Sequence, residues 1–198
     1  MDTNLHDKIL LASASPRRRE LLDQIGVQHD VLAVDVDEAT RVGEVPEVYV
    51  QRLALEKAAA GFLRQTTTPK MPALGADTIV LLGDKILGKP KNQADGYAML
   101  KLLSGETHQV FTAVAMATAE KSLCLLSRSK VSFRTLTDDE IAAYWNSGEP
   151  ADKAGGYAIQ GRAAQFIRKL EGSYTGVMGL PLFETAELLK DFGMVLLK

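Results

Sequence analysis

The chain has 198 residues, a formal net charge of -2 and 46% hydrophobic residues, a composition typical of a globular protein that can bury a substantial core. The charge excludes the general basic excess of a nucleic-acid or membrane-surface binder, so any anion recognition must be local. Cys124 is the single cysteine, which excludes an internal disulfide and a cysteine-rich zinc site. We therefore expect a cytoplasmic protein that does not bind nucleic acid.

The amino-terminal stretch "MDTNLHDKILLASAS" carries acidic residues and only a short apolar run, unlike the basic start and long apolar core of a signal peptide. No stretch approaches the roughly 20 apolar residues that a membrane span requires. We expect a soluble, unprocessed chain with no membrane partner.

Strand-like and helix-like patterns alternate in the first half of the chain. The predicted strands are 8–12, 29–34 and 73–82, and the predicted helices are 16–26, 46–64 and 92–103. Pro16 and Pro46 stand near helix starts, and Gly26 ends the first helix. Gly83 and Asp84 predict a turn after the third strand.

The second half begins with two strand-like runs, 108–120 and 124–136, whose short connection predicts an antiparallel pair. Thr137 and Glu140 form a capping-box pattern at the start of a helix. The remaining predicted elements are a helix at 137–148, a glycine-rich loop at 148–161, a strand at 163–172 and a helix at 180–193. Since some strands are joined by hairpins and others through helices, the fold class is α/β with a mixed sheet.

An unusual charge pattern follows the first predicted strand, in "LASASPRRREL". Ser15 stands as a helix N-cap, and after a proline Arg17–Arg19 fill the first turn. A helix N-terminus is the positive end of the dipole, so three arginines there repel the dipole and one another. We interpret them, with the free backbone N–H groups, as a receptor for a polyanion such as a triphosphate. The alternative is a surface turn in which one arginine packs, one is solvated and one pairs with Glu20 or Asp23.

Two acidic residues are candidates for metal binding or proton transfer. Asp77 lies in the predicted strand 73–82, whose two faces are both apolar, and a carboxylate buried there needs a compensating partner. We interpret it as a metal ligand or general base at the edge of a cleft; the alternative is a strand that starts after Asp77, leaving its side chain to cap a turn beside Gly75. Glu38 ends "DVDE", a cluster typical of a solvated loop. With Asp77 it can bind Mg²⁺ that keeps waters and substrate phosphates as its other ligands.

Two lysines are candidates for contacts with anions. Lys57 shares one face of the helix 46–64 with Leu53, where it either extends past apolar neighbours to water or joins the site. The segment "GDKILGKP" nearly matches the phosphate-binding P-loop, but Pro90 stands where a Mg²⁺-binding hydroxyl is required, so we reject a P-loop. Lys89 remains a candidate phosphate contact as a point charge.

Seven motifs in order along nearly the whole chain resemble the Maf family of nucleoside triphosphate pyrophosphatases. They are "LASASPRRRELL", "DVDE", "LALEKA", "LGADTIV", "LGKPKN", "LSGETHQVFTAV" and "DKAGGYAIQG". The segment "GYAIQG" is similar to the branch acting on dTTP and UTP rather than the branch acting on methylated GTP. Ala158 departs from the family pattern, in which many members carry glycine.

The resemblance implies a fold as well as an activity. We expect a single Maf-like domain over residues 1–198, with an elongated, twisted mixed sheet flanked by helices, similar to inosine triphosphatases. The active site is expected in a cleft between two lobes. Family analogy also implies a homodimer.

The resemblance assigns roles to individual residues. Asp77 matches the proton-accepting aspartate of the family, and Arg17, Thr78 and Gln160 match positions that influence substrate choice. Positions that line the phosphate and metal region are matched by Ser13, Arg18, Glu38, Lys57 and Lys89. Arg19 lies outside the family motif. Thr78 and Gln160 carry a hydroxyl and an amide that can pair with the carbonyl and N–H pattern of uracil or thymine.

The implied reaction is hydrolysis of dTTP and UTP to the nucleoside monophosphate and pyrophosphate. Glu38 and Asp77 are expected to bind Mg²⁺ or Mn²⁺, and Asp77 is expected to accept the proton of the attacking water. Family analogy adds the clearance of modified nucleotides and a link to arrest of cell division. Two alternatives stay open: a nucleotide-binding regulator of septum formation without significant turnover, and the same chemistry on purine or modified nucleotides.

Overall fold

The computed structural model describes residues 8–196, so the expectation about an unprocessed amino terminus falls partly on residues outside the described part. The strands are β1 (Lys8–Leu11), β2 (Gln28–Val31), β3 (Ala73–Leu82), β4 (Lys85–Leu87), β5 (Thr107–Ala117), β6 (Ser122–Phe133) and β7 (Ile167–Glu171). The helices are α1 (Pro16–Gln24), α2 (Pro46–Arg64), α3 (Gln93–Leu103), α4 (Asp138–Asn146), α5 (Tyr174–Met178) and α6 (Leu182–Asp191). Within this part of the chain, no helix combines the length and apolarity needed to cross a membrane.

The strands of the described residues form one seven-stranded mixed sheet. Its order is β2-β1-β3-β5-β6-β7, and β4 pairs with β3. β1 runs parallel to β2 and to β3, whereas the β3–β4 and β6–β7 pairs are antiparallel. The predicted α/β class, with a mixed sheet flanked by helices, is confirmed.

The chain divides into two compact units. The first holds the chain up to Asp77, residues Thr112–Ser127 and the chain from Gly179 onward, and the second holds Thr78–Phe111 and Arg128–Met178. The expected single domain over residues 1–198 with an active-site cleft between two lobes stays a prediction.

The first unit places α2 directly on β3. The strand is buried along nearly its whole length, and Gly75 lies against the backbone of α2. A Cβ atom at position 75 would lie 2.5 Å from the carbonyl oxygen of Ala54 and 3.0 Å from the Cα atom of Ala58. The absence of a side chain at Gly75 therefore lets the helix approach the strand, which brings together the residues that each element carries beyond this contact.

The second unit has an aromatic core. Phe133 packs edge-on against Tyr157, with ring centroids 5.0 Å apart, and His108 lies edge-on to both rings. Tyr144 of α4 packs edge-on against Phe166 with a centroid distance of 5.2 Å. These geometries are the favourable ones for aromatic pairs, so the rings fix α4 and the segment around Tyr157 in one unit.

Several predicted elements have different bounds in the structure. β4 was not predicted: it pairs with β3 across the turn at Gly83, so "GDKILGKP" contains the turn and the second strand of a β-hairpin. The predicted strand 163–172 begins instead with a 3₁₀-helix, Arg162–Phe166, and α5 was not predicted. Ser15 is the N-cap residue of α1, but its side chain makes no capping hydrogen bond. The capping box of Thr137 and Glu140 at α4 is confirmed.

Replacing Gly75 with alanine is expected to lower the free energy of unfolding by about 2–3 kcal/mol, because the new Cβ atom overlaps backbone atoms that cannot rotate away. Gly88→Ala is the matched control, since a Cβ atom there meets nothing within 4 Å. Its expected change is within about 0.5 kcal/mol. Denaturant unfolding of both variants measures the difference, and equal stabilities would contradict the close approach of α2 to β3.

Candidate active site

An ammonium group joins two carboxylates in the first unit. Lys57 Nζ donates hydrogen bonds to Asp77 Oδ1 and to Glu38 Oε1, each at 2.7 Å. The side chains of Lys57 and Asp77 are each 12% exposed, whereas that of Glu38 is 58% exposed. The cluster thus joins a mostly buried carboxylate, an equally buried ammonium group and a carboxylate that faces solvent.

The structure contradicts the purely structural alternative for each of Asp77 and Lys57. β3 begins at Ala73, four positions before Asp77, so the aspartate is part of the strand rather than a cap of a preceding turn. Lys57 does not simply extend past apolar neighbours to water, because its ammonium group is bonded to both carboxylates. Local sequence left both questions open, since only tertiary packing brings α2, β3 and the loop before α2 together.

Burial changes the acidity of Asp77. Desolvation raises the pKa of its carboxyl, and the nearby Glu38 carboxylate acts in the same direction. The charge and hydrogen bond of Lys57 and the charge of Arg18 lower it, but the net pKa lies above that of an ordinary aspartate. A carboxyl group with a raised pKa gives a carboxylate that is a stronger base, and a stronger base accepts a proton more readily.

Arg18 is held in a fixed orientation at the start of α1. Its Nε donates a hydrogen bond to the backbone oxygen of Gly179 at 2.8 Å, and one terminal nitrogen donates to Ser13 Oγ at 3.2 Å. Ser13 is buried, and its hydroxyl oxygen also accepts a hydrogen bond from the backbone N–H of Ser15 at 3.2 Å. Ser13, rather than Ser15, is therefore the serine whose side chain organises this turn.

Desolvation lowers the pKa of the Arg18 guanidinium, and the Asp77 carboxylate opposes that change. The positive charge of Arg17 also lowers the pKa of Arg18, which expresses the repulsion expected between neighbouring arginines. The first turn of α1 contains no acidic residue that would relieve this repulsion locally. An anion bound at this turn would stabilise both the guanidinium groups and the helix dipole.

The remaining predicted site residues occupy other positions. Arg17 is half-buried and Arg19 is exposed, both in the first turn of α1. Thr78, Lys89 and Gln160 belong to the second unit. Thr78 follows Asp77 in β3 and is half-buried, whereas the side chains of Lys89 and Gln160 are exposed.

The loop that carries Glu38 is held by residues that the sequence analysis did not single out. Tyr49 of α2 donates its hydroxyl hydrogen to the backbone oxygen of Glu38 at 2.8 Å. Arg52 donates to both carboxylate oxygens of Glu44, at 2.6 and 2.9 Å, and to the backbone oxygen of Ala39 at 3.0 Å. The hydrogen bonds from Arg52 lower the pKa of Glu44 to about 2. In the sequence, the spacing of Tyr49, Arg52 and Lys57 along α2 is the signal that could have identified residues facing this loop.

Glu38 and Asp77 are the carboxylates of this cluster that could hold a divalent cation. Among residues 8–196, no group of three or more His, Cys, Asp and Glu side chains is arranged to hold a metal ion. Mg²⁺ in nucleotide-processing sites commonly uses one or two carboxylates, and waters and phosphate oxygens complete its shell. In such a site Glu38 and Asp77 would supply the carboxylates, beside the ammonium group of Lys57.

The chain belongs to a known family, because the model of the Maf-like protein family matches residues 8–192. A protein of Saccharophagus degradans named dTTP/UTP pyrophosphatase is 58% identical over 93% of this chain and 88% of its own length. Proteins of the same name from Alkalilimnicola ehrlichii and Aromatoleum aromaticum are 53% and 54% identical, covering 97% and 94% of this chain and 96% of each relative. The Ham1 protein of Staphylococcus aureus has a TM-score of 0.45 and 15% identity, over 64% of this chain and 71% of that one. This structural similarity is too low to support a conclusion.

Two variants of the cluster of Lys57, Asp77 and Glu38 should move the pKa of Asp77 in opposite directions. Lys57→Met should raise the pKa of Asp77 further, because the neighbouring positive charge and its hydrogen bond are lost. Glu38→Gln should lower it, because the carboxylate that opposes ionisation is removed. A ¹³C NMR titration of the Asp77 carboxyl measures both changes, and movement in the same direction would contradict the described arrangement.

Proposed function

We propose that this chain hydrolyses dTTP and UTP to the nucleoside monophosphate and pyrophosphate, as a nucleoside triphosphate diphosphatase. The substrate class is supported by relatives 51–58% identical that bear the name dTTP/UTP pyrophosphatase and match 93–97% of the chain. The observation that carries the chemistry is the pair of 2.7 Å hydrogen bonds from Lys57 to Asp77 and Glu38. They combine a buried carboxylate, an exposed carboxylate and a cation in one place.

We assign phosphate binding first to the start of α1. Arg18 is preorganised by Gly179 and Ser13, so little side-chain freedom is lost when an anion binds. The phosphates offset the repulsion between Arg17 and Arg18 and accept hydrogen bonds from the helix N-terminus. Lys89 is assigned as a further phosphate contact on the basis of the family motif.

Asp77 is the proposed general base. It accepts a proton from the water that attacks the triphosphate between the α and β phosphates, and pyrophosphate leaves. Burial makes Asp77 a stronger base than an exposed aspartate, while Lys57 favours the ionised form that can accept a proton. Arg18 and Lys57 supply positive charge that stabilises the developing negative charge on the phosphates.

Glu38 and Asp77 are the proposed ligands of Mg²⁺ or Mn²⁺. Such an ion would neutralise charge on the phosphate oxygens when it is bound. Glu38 is suited to this role because its side chain is mostly exposed while its loop is fixed by Tyr49 and Arg52.

Base selection is assigned to Thr78 and Gln160, together with Arg17. A hydroxyl and an amide can pair with the carbonyl and N–H groups of thymine or uracil, and a base with another pattern leaves polar groups unpaired. Modified pyrimidine nucleotides that keep this pattern are included in the proposal, as is a connection to arrest of cell division.

The proposed setting is the cytoplasm, where a chain with the single cysteine Cys124 needs no disulfide. A homodimer is proposed from family analogy and is tested by light scattering on the purified protein.

Nucleic acid is not proposed as a partner, since the net charge of -2 gives no general attraction to phosphate backbones. A regulator of septum formation without turnover is not favoured, because the matching relatives bear the name of an enzyme.

Asp77→Asn is expected to lower kcat/KM for dTTP and UTP about 10²–10⁴-fold, because an amide cannot accept the proton of water. Pyrophosphate release from the purified variant measures the loss. Asp84→Asn is the matched control: Asp84 is exposed in the turn between β3 and β4, and its variant should keep the wild-type rate. Normal turnover by the Asp77→Asn protein would show that the base is assigned wrongly.

Chelation of divalent metal with EDTA should stop pyrophosphate release, and addition of Mg²⁺ should restore it. Glu38→Gln is expected to raise the Mg²⁺ concentration for half-maximal rate at least about tenfold, because one charged ligand is lost. Asp35→Asn, in the same acidic segment, should leave that concentration unchanged. Titration of Mn²⁺ binding by electron paramagnetic resonance gives a readout independent of turnover, and unaltered binding by Glu38→Gln would contradict the ligand assignment.

A further inference from the structure

The carboxylate of Glu149 connects α4 to the segment that follows the glycine-rich loop. Oε1 accepts a hydrogen bond from the Tyr144 hydroxyl at 2.7 Å and one from the backbone N–H of Ala163 at 3.4 Å. Oε2 accepts one from the backbone N–H of Arg162 at 3.0 Å. Desolvation raises the pKa of Glu149, but the hydrogen bonds to its carboxylate outweigh that effect and the net pKa is lowered. The ionised carboxylate is therefore the form that holds these groups.

Tyr144 reaches the other end of the same segment. Its hydroxyl oxygen accepts a hydrogen bond from the backbone N–H of Ala158 at 3.1 Å while the hydroxyl hydrogen is donated to Glu149. The side chain is buried, and its ring packs against Phe166. Tyr144 is thus a fixed point from which both Ala158 and the Glu149 carboxylate are positioned.

Gln160 lies inside the turn that these bonds enclose. The backbone N–H of Gly161 donates to the oxygen of Ala158 at 3.1 Å, which closes a turn with Ile159 and Gln160 at its centre. Ile159 is buried in the core, whereas Gln160 is exposed. A Cβ atom at position 161 would lie 2.5 Å from Glu149 Oε1, so the turn rests directly on the carboxylate.

The residue before the turn is fixed as well. Tyr157 is buried, and its hydroxyl oxygen lies 2.8 Å from His108 Nε2. The backbone around Gln160 is consequently restrained on both sides of the turn. Tyr144 accepts a hydrogen bond from the backbone N–H of Ala158 at its start, and Glu149 accepts hydrogen bonds from the backbone N–H groups of Arg162 and Ala163 just after it.

We propose that Tyr144 and Glu149 are positioning residues for base selection: they hold the turn at residues 158–161 in the conformation from which Gln160 recognises the pyrimidine base. This inference rests on the proposed function, in which Gln160 takes part in choosing dTTP and UTP. Neither Tyr144 nor Glu149 is required to touch the nucleotide. Their effect is to limit the positions available to the Gln160 amide, because selectivity based on hydrogen bonds requires the amide to be fixed before the base arrives.

The test compares selectivity among matched variants of the full chain. The ratio of kcat/KM for dTTP to that for dGTP is measured in the wild type, Gln160→Ala, Tyr144→Phe and Glu149→Gln. Tyr144→Phe keeps the packed ring and removes one hydroxyl, and Glu149→Gln replaces one acceptor oxygen with an amide nitrogen. Both are expected to lower the ratio about tenfold, towards the value for Gln160→Ala, with a smaller change in kcat for dTTP.

Thr137→Ala is the control for a general weakening of α4, because it breaks the capping box without touching the turn. It should keep the wild-type ratio. Hydrogen exchange followed by mass spectrometry adds a readout without nucleotide: residues 158–163 should exchange about tenfold faster in Tyr144→Phe and Glu149→Gln than in Thr137→Ala.

The outcomes separate this inference from the proposed function. If Gln160→Ala loses selectivity while Tyr144→Phe and Glu149→Gln keep it, the positioning role is wrong. Unchanged hydrogen exchange at 158–163 in both variants also overturns it. If the wild type shows no preference for dTTP, or Gln160→Ala keeps that preference, the assignment of Gln160 in the proposed function fails, and base selection through the Tyr144–Glu149 pair fails with it.

Discussion

The hydrogen bonds from Lys57 to Asp77 and Glu38 are the interaction around which the first unit is organised. A buried aspartate is unfavourable unless a cation or several hydrogen bonds compensate it, and Lys57 provides both a charge and a donor. That arrangement requires α2 to lie directly on β3, which the missing side chain at Gly75 permits. It also requires the loop before α2 to return to the helix, and Arg52 anchors that loop through Glu44 and the backbone.

Much of the fold could be predicted because its local signals are strong. α2 and β3 have the predicted bounds 46–64 and 73–82, and the capping box at Thr137 starts α4 as expected. β4 was missed because three residues are too few to show a periodic pattern, and its pairing with β3 defines it. Residues 163–166 have the apolar content of a strand, but the backbone N–H groups of residues 162 and 163 donate hydrogen bonds to the Glu149 carboxylate, which favours a 3₁₀-helix.

The candidate site was only partly accessible from sequence. Asp77 and Lys57 stood out because charged residues interrupt apolar patterns, yet their pairing depends on contacts between distant segments. Ser13 carried no chemical signal of its own and entered through the family motif. Tyr144 and Glu149 were overlooked because Tyr144 lies on the buried face of an ordinary helix, and Glu149 lies in a segment predicted as a glycine-rich loop, where the structure has a 3₁₀-helix at Glu149–Asp152. Their contribution is visible only in the hydrogen bonds that join them to the backbone of a third segment.

The proposed reaction depends on the ionised Asp77 carboxylate, which accepts the proton of the attacking water. This step is tested by the pH dependence of kcat/KM for dTTP in the wild type and in Glu38→Gln, measured beside the pKa of Asp77 in each protein at the same saturating Mg²⁺ concentration. The acid limb of the profile is expected to move in the same direction and by the same amount as the pKa of Asp77, because kcat/KM reports the ionisation of the free enzyme. An acid limb that stays in place while the pKa of Asp77 moves would contradict it.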